Sequence, residues 1–181
     1  MMLQIDHRES HDVDIFLPDP QLLSFLDPEK HDFQFDIRLD ASQWDGTRSL
    51  KLVFDKIGEI DFIVANAMTA SPATETSIEG ETVLLETIPE IITKKIYHRG
   101  LSIQPRDIFD IAAAGEQHLN SLIKELRRYR NEVTQTLAMI DKLNTDFVNR
   151  TIAQLIIKER YMGIAKTAIE RSKEILRATL C

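Results

Sequence analysis

Residues 7–17, HRESHDVDIFL, contain two carboxylates at the start of a short apolar run, and this stretch is the first indication of the fold. Residues 13–17 have the composition of a short β-strand. Asp12 and Asp14 are separated by one residue, so along a strand their side chains point the same way. Two like charges on one face repel each other. We therefore expect a positive group between them: a lysine, an arginine or a metal ion.

The composition indicates one globular protein of ordinary type. The chain has 181 residues, of which 43% are hydrophobic and 28% are charged, so it can build one good core but not two large domains. A net charge of -7 argues against a surface coated with basic residues for nucleic acid. The single cysteine, Cys181, excludes an internal disulfide and favours a reducing compartment. With no long apolar run and a polar amino terminus, we expect a soluble cytoplasmic protein without membrane contact.

The first half of the chain has the pattern of strands and turns. A turn of helix is predicted over residues 21–26. Residues 49–54 alternate well and are followed across a glycine-containing turn by residues 60–65, which predicts a β-hairpin. Residues 75–78 and 82–85 flank a Glu-Gly turn and predict a second hairpin.

The second half has helical spacing to its end. Thr87 with Glu90 fits a capping box, and Gly100 ends the helix that follows. The later helices are predicted from Pro105, over 119–126 beyond Gly115, and over 132–143 and 146–178, with Gly163 as the candidate break of the last one. The shift in composition predicts an α+β protein with an α/β part over residues 1–88 and a helical part over residues 89–181, packed together as one compact unit.

Asp12 and Asp14 are candidates for a divalent-metal site. Hard carboxylate oxygens suit Mg²⁺, which typically takes one or two carboxylates together with phosphate oxygens. The alternative is a solvated strand end. Asp61 interrupts the apolar run GEIDFIV, and a buried acid must be paired or coordinate something. If its strand lies beside the first, Asp61 could supply a third carboxylate; otherwise it faces water on an edge strand.

Two further charged clusters lie on the predicted helices. Lys95 and Arg99 are four residues apart and share a face that could bind phosphates, and Lys94 lies on the neighbouring face. The alternative is a basic, solvated helix end.

Asp107 and Asp110 are one turn apart at the start of the helix that Pro105 opens, and Arg106 could pair with either. The ordinary interpretation of this cluster is a capped helix start with a local ion pair.

Taken in order, these clusters resemble the AbiEii/AbiGii toxin family of nucleotidyltransferase-like proteins, related to the polymerase-β nucleotidyltransferase superfamily. HRESHDVDIFL is similar to the family's Ser-x-Asp-hydrophobic-Asp strand. EIITKKIYHRG is similar to its lysine-bearing helix, and QPRDIFDIA to its Arg-Asp-x-x-Asp helix. The resemblance spans roughly residues 4–125 and implies a small mixed or antiparallel nucleotidyltransferase-type sheet followed by a helical bundle.

The resemblance also implies a set of site residues and a reaction. Asp12 and Asp14, with Asp61 assisting, would hold Mg²⁺ against an NTP. Lys95, or the adjacent Lys94, would bind phosphate. The remaining positions implied for the site are Ser10, Arg99 and Arg106 as nucleotide contacts, and Asp107 or Asp110 as the essential acid of the last motif. The implied activity is nucleotide transfer from an NTP to an acceptor hydroxyl, with tRNA as one candidate acceptor, in a toxin regulated by an antitoxin-like partner.

One feature departs from the family pattern. The family places a glycine-rich turn and a helix ahead of the acidic strand, whereas none of the six glycines here precedes Asp12. An amino-terminal truncation or a lost nucleotide cradle would account for this. An uncovered sheet would favour a homodimer. The rival hypothesis is therefore a degenerate, non-catalytic relative that acts as an interaction protein.

Overall fold

The computed structural model describes residues 1–31, 33–54 and 56–181, and it confirms the α+β class. The chain divides into two compact units, which we call the sheet unit (Ser10–Ala67) and the helical unit (Met1–Glu9 with Met68–Cys181). The chain begins in the helical unit with α1 (Met2–Ile5). The compositional boundary near residue 88 falls inside this unit, where α3 (Ile88–Arg99) starts.

The sheet unit is built on four strands in the order β1-β4-β3-β2. Strands β1 and β4 are parallel, and the other neighbouring pairs are antiparallel. The strands are β1 (Val13–Leu17), β2 (Leu39–Trp44), β3 (Ser49–Phe54) and β4 (Gly58–Val64), and α2 (Leu23–Leu26) lies between β1 and β2. The predicted strand at β1 and the predicted β3–β4 hairpin are confirmed. Strand β2 was not predicted, because its sequence LDASQW lacks the apolar alternation of a half-buried strand.

One face of this sheet carries the small core of the unit. Leu50 and Leu52 of β3 pair with Phe62 and Ile60 of β4, and both leucines are buried. Leu23 of α2 is fully buried in the same cluster. Because side chains alternate along a strand, the charged residues of β3 and β4 project from the opposite face.

The apolar face extends onto β1 but is incompletely buried there. Val13 and Ile15 pair with Ile60 and Phe62, yet they remain 53% and 38% exposed. The homodimer expected from an uncovered sheet stays a prediction.

The helical unit combines one hairpin with most of the helices. The predicted hairpin is confirmed as β5 (Ala73–Ile78) and β6 (Glu81–Glu86). The helices after α3 are α4 (Pro105–Leu126), α5 (Arg130–Lys142), α6 (Thr145–Ala153), α7 (Met162–Lys166) and α8 (Ala168–Leu180).

Helix α4 forms the centre of this unit. Ile108, Phe109 and Ile111 are completely buried, and α8 packs along the helix. Gly115 permits this close approach, because a Cβ atom there would lie 2.4 Å from Ile175 Cδ1. Gly115 therefore lies within α4 and does not end it, and the irregular residue of the helix is His118, at φ -124° and ψ 17°.

The predicted helix over 146–178 is wrong in its length and in the position of its break. The chain leaves helical geometry after Ala153, whereas Gly163 lies inside α7. The reason is tertiary: Ile157 forms a β-bridge with Arg8, and the Glu9 amide donates to the Ile156 carbonyl over 2.9 Å. These bonds to the amino-terminal segment hold the connection between α6 and α7 in an extended form.

Over the ranges that the structure describes, no helix is both long and apolar enough to cross a membrane.

Candidate functional site

Asp14 belongs to a row of charged residues on the polar face of the sheet unit. Asp14 of β1 pairs in register with Asp61 of β4, and Asp61 pairs in turn with Lys51 of β3. Residues directly opposite one another on neighbouring strands project to the same face. Asp61 was expected to contribute only if its strand lies beside β1, and β4 does lie there.

Lys51 supplies positive charge to this row. Its Nζ lies 3.0 Å from Asp61 Oδ2 and also donates to Glu59. The hydrogen bond with Glu59 and then the interactions with Asp61 raise the pKa of Lys51 against the opposing effect of burial. Asp61 is thus an ion-pair partner of a lysine, whereas Asp12 and Asp14 are exposed.

Within residues 1–31, 33–54 and 56–181, no three His, Cys, Asp or Glu side chains converge in a way that could hold a metal ion. The three-carboxylate set of Asp12, Asp14 and Asp61 is therefore not assembled as a preformed centre. Oxygen ligands from Asp12 and Asp14 alone suit the chemistry of Mg²⁺, which completes its shell with water and phosphate. This two-carboxylate site stays a prediction.

Asp12 lines an open cleft of about 350 Å³ within the sheet unit. His11 and Asp12 form one side, and Lys56 and Gly58 at the β3–β4 turn are among the residues of the other. The two sides touch closely, because a Cβ atom on Gly58 would lie 2.0 Å from the His11 carbonyl oxygen. Glycine at this position therefore lets the turn approach the chain just before Asp12.

The lysine and the aspartates of the later motifs meet inside the helical unit. Lys95 lies on α3, and Asp107 and Asp110 lie one turn apart near the start of α4. Lys95 Nζ is 2.6 Å from Asp107 Oδ1 and 3.0 Å from Asp110 Oδ2. Both carboxylate side chains are almost completely buried, and the lysine side chain is 17% exposed.

Two residues of the amino-terminal segment complete the cluster around Asp110. Arg8 forms a fork across the carboxylate, with Nε 2.8 Å from Oδ1 and Nη2 3.1 Å from Oδ2. His7 Nε2 lies 2.8 Å from the same Oδ1. The expected pairing of Arg106 with Asp107 or Asp110 is not what the described residues show: Arg106 is exposed, and the arginine on Asp110 is Arg8. We call Lys95, Asp107, Asp110, Arg8 and His7 the buried charged cluster.

Two members of this cluster, Asp110 and Lys95, have shifted pKa values. Burial would raise the pKa of Asp110, but the positive charge of Lys95 and the hydrogen bonds from His7 and Arg8 hold that pKa well below its usual range. Burial would likewise lower the pKa of Lys95, yet the carboxylates of Asp110 and Asp107 keep it raised. Asp110 and Lys95 therefore both favour their charged forms at neutral pH.

The second carboxylate of the pair is equally engaged. Asp107 Oδ2 accepts from the backbone N–H of Gln104 over 3.2 Å, in a reciprocal capping box at the start of α4. Both aspartates therefore have their oxygens occupied by protein donors. This arrangement suits the orientation of Lys95 better than metal binding or proton abstraction.

Lys94 has different partners from its neighbour. Its amine pairs with Glu86 and lies 3.5 Å from Glu90, and its side chain is 6% exposed. Glu90 itself accepts from the Met68 and Thr69 amides, so only half of the predicted capping box forms, with Thr87 accepting from the Glu90 amide. Of the two lysines, Lys95 is the more accessible.

The remaining predicted nucleotide contacts are at the surface. Arg99 is exposed at the end of α3, one helical turn beyond Lys95, and Ser10 is half-buried where the sheet unit begins.

No protein-family model, curated protein or solved structure matches the chain significantly. The function is therefore argued from the residues and contacts above.

Proposed function

We propose that this protein transfers a nucleotide from an NTP to an acceptor hydroxyl. The observation that carries the proposal is the register of β1 against β4, which sets Asp14 beside Asp61. Asp12 precedes Asp14 by two residues, so a third carboxylate is close along the chain. Adjacent carboxylates repel each other, and Lys51 is shared between Asp61 and Glu59. The carboxylates at the start of β1 and on β4 therefore outnumber the one lysine beside them, and this excess of negative charge favours the binding of a cation.

Magnesium suits this position. Asp12 and Asp14 would hold it, and the ion would supply neutralisation of the negative charge on the phosphate oxygens. Lys95 serves as the second positive group for the triphosphate, because the buried charged cluster keeps its amine ionised and its side chain partly accessible.

The proposed reaction is one displacement at phosphorus. The acceptor oxygen forms a bond to the α-phosphorus, and the bond from that phosphorus to the bridging oxygen of the β-phosphate breaks. Pyrophosphate leaves with the electron pair of the broken bond. The hydroxyl proton passes to a carboxylate of the acidic strand, and Lys95 neutralises charge on the phosphates.

The experiment is a transfer assay with α-labelled NTPs. Each of the four NTPs is incubated with Mg²⁺, the full chain and total tRNA or other RNA, and the label in RNA, the label on the protein and released pyrophosphate are measured. We expect Mg²⁺-dependent transfer that Lys95→Met and Asp12→Asn abolish. Absence of both label transfer and pyrophosphate release with every NTP would overturn the proposal.

The same assay distinguishes the transferase from the rival hypothesis, a non-catalytic interaction protein. That hypothesis predicts no NTP turnover together with a stable complex with an antitoxin-like regulator. The proposed transferase, acting as the toxin of such a pair, predicts instead that the regulator suppresses transfer.

A further inference from the structure

Arg8 is the residue through which the amino-terminal segment reaches the buried charged cluster. Its guanidinium binds both oxygens of Asp110, the geometry in which an arginine–carboxylate pair is strongest and most directional. The Arg8 side chain is 14% exposed and that of Asp110 is 1% exposed, so the pair is shielded from water.

The backbone around Arg8 is fixed by its own hydrogen bonds. The Lys158 amide donates to the His7 carbonyl over 3.1 Å, and the Glu9 amide donates to the Ile156 carbonyl over 2.9 Å. Arg8 itself forms the β-bridge with Ile157. The guanidinium is thus held at Asp110 by backbone contacts on both sides of the residue.

The charge balance of the cluster depends on this arginine. Asp107 and Asp110 carry two negative charges, and Lys95 and Arg8 carry two positive charges. Without Arg8, one ammonium group would face two buried carboxylates. The surplus negative charge would hold the amine in place and repel an approaching phosphate.

We propose that Arg8 is a positioning residue of the nucleotide site: it neutralises Asp110, so that the buried charged cluster carries no surplus negative charge that would repel a triphosphate from Lys95. This inference rests on the proposed nucleotidyl transfer. It assigns to a residue ahead of the acidic strand a role in phosphate affinity, exerted through Asp110 and without contact with the substrate.

The test compares Arg8→Gln, Arg8→Lys and Arg160→Gln in the full chain. Arg160 provides a matched control, because it anchors the same segment by donating to the Ile5 carbonyl, and its partners among the residues that the structure describes are Ile5, Asp6 and Tyr161. We expect Arg8→Gln to raise the KM for the NTP about tenfold, with a smaller change in kcat, because one charge is lost near the lysine. Arg8→Lys, which keeps the charge, should restore most of the affinity, and Arg160→Gln should leave KM unchanged.

A second measurement does not depend on turnover. In protein labelled with [ε-¹³C]lysine, the Lys95 signal, assigned by its loss in Lys95→Arg, is titrated by NMR. Removing the positive Arg8 should raise the pKa of Lys95 in Arg8→Gln, whereas Arg160→Gln should leave it in place.

The outcomes separate the two proposals. If the wild-type chain transfers nucleotides but Arg8→Gln and Arg160→Gln have equal KM values, the positioning role is overturned and the proposed function stands. If the wild-type chain neither binds nor transfers nucleotides, the proposed function is overturned, and an unmoved Lys95 titration in Arg8→Gln would independently refute the charge coupling.

Discussion

Replacing Asp110 with asparagine should destabilise the helical unit more than almost any other single polar change. The Asp110 carboxylate accepts from both nitrogens of the Arg8 fork and lies within hydrogen-bonding distance of His7 and Lys95. An asparagine of the same shape has one acceptor oxygen, and its amide group would face donors. The negative charge that faces Arg8 and Lys95 at this position would then be lost.

The expected cost follows from this burial. Removing one partner from a buried ion pair typically costs about 3–5 kcal/mol, because the other charge is left uncompensated. A domain has about 5–15 kcal/mol in total, so the loss is a large fraction of the stability of the unit. With a urea m-value near the middle of its usual range, the midpoint should fall by about 2 M.

The assay uses two probes because the chain has two units. Circular dichroism at 222 nm follows the helices, and the fluorescence of Trp44, the only tryptophan, follows the sheet unit. The matched control is Asp141→Asn, which removes an ion pair with Lys173 in which the aspartate side chain is 54% exposed. We expect that control to cost less than about 1 kcal/mol.

The contribution of Asp110 to the free energy of unfolding depends on pH. Because the folded-state pKa of Asp110 is depressed, its contribution is present above the unfolded pKa of about 3.9 and is lost as the pH falls through the folded pKa. The difference between wild type and Asp110→Asn should therefore shrink below about pH 4. A cost in the helical transition no larger than that of Asp141→Asn at pH 7 would show that the buried contacts of Asp110 do not stabilise the helical unit.

Two other changes test the sheet unit, both followed by Trp44 fluorescence. Gly58→Ala should lower the stability of this unit by more than about 2 kcal/mol, because Gly58 has φ 149° and an added Cβ would meet the His11 carbonyl. The control Gly46→Ala should cost less, because Gly46 has φ 88° but open space around it. Equal losses of stability in the two variants would exclude the steric cause. Lys51→Met should cost about 1 kcal/mol or less at pH 7, since the lysine is partly exposed. Because the folded pKa of Lys51 is raised, this cost should be full below the unfolded pKa of about 10.4 and disappear as the pH rises through the folded value, and a cost that persists there would contradict the ion pair.

The parts of the fold that could be predicted from sequence are those that local pattern determines. Strand β1 and the two hairpins follow from alternation bounded by turn residues, and α3 and α4 follow from Thr87 and Pro105 at their starts. Strand β2 has no such pattern and is held by pairing with β3. The break after α6 was missed because it depends on hydrogen bonds to residues near the amino terminus, about 150 positions away in sequence.

The candidate site divides in the same way. Helical spacing predicted that Asp107 and Asp110 lie one turn apart, and the resemblance assigned both of them and Lys95 to one site. In the helical unit both carboxylates form ion pairs with Lys95. Arg8 was missed because its contact with Asp110 spans 102 positions in sequence, and no local pattern distinguishes it from Arg106. The one local signal, a cation ahead of an acidic motif, applies equally to Arg8 and Arg106.

The most direct test of the account is a calorimetric titration of the full chain with Mg²⁺ and each NTP, comparing wild type with Asp12→Asn and Asp6→Asn. Asp6 is an exposed residue with φ 41°, a conformation that asparagine tolerates, so the control alters charge without strain. Loss of residues that merely orient a metal ligand weakens metal sites about 10–100-fold, so Asp12→Asn should weaken binding by at least that much, with Asp6→Asn unchanged. Equal affinity of wild type and Asp12→Asn, or no binding by either, would contradict the proposed nucleotide site.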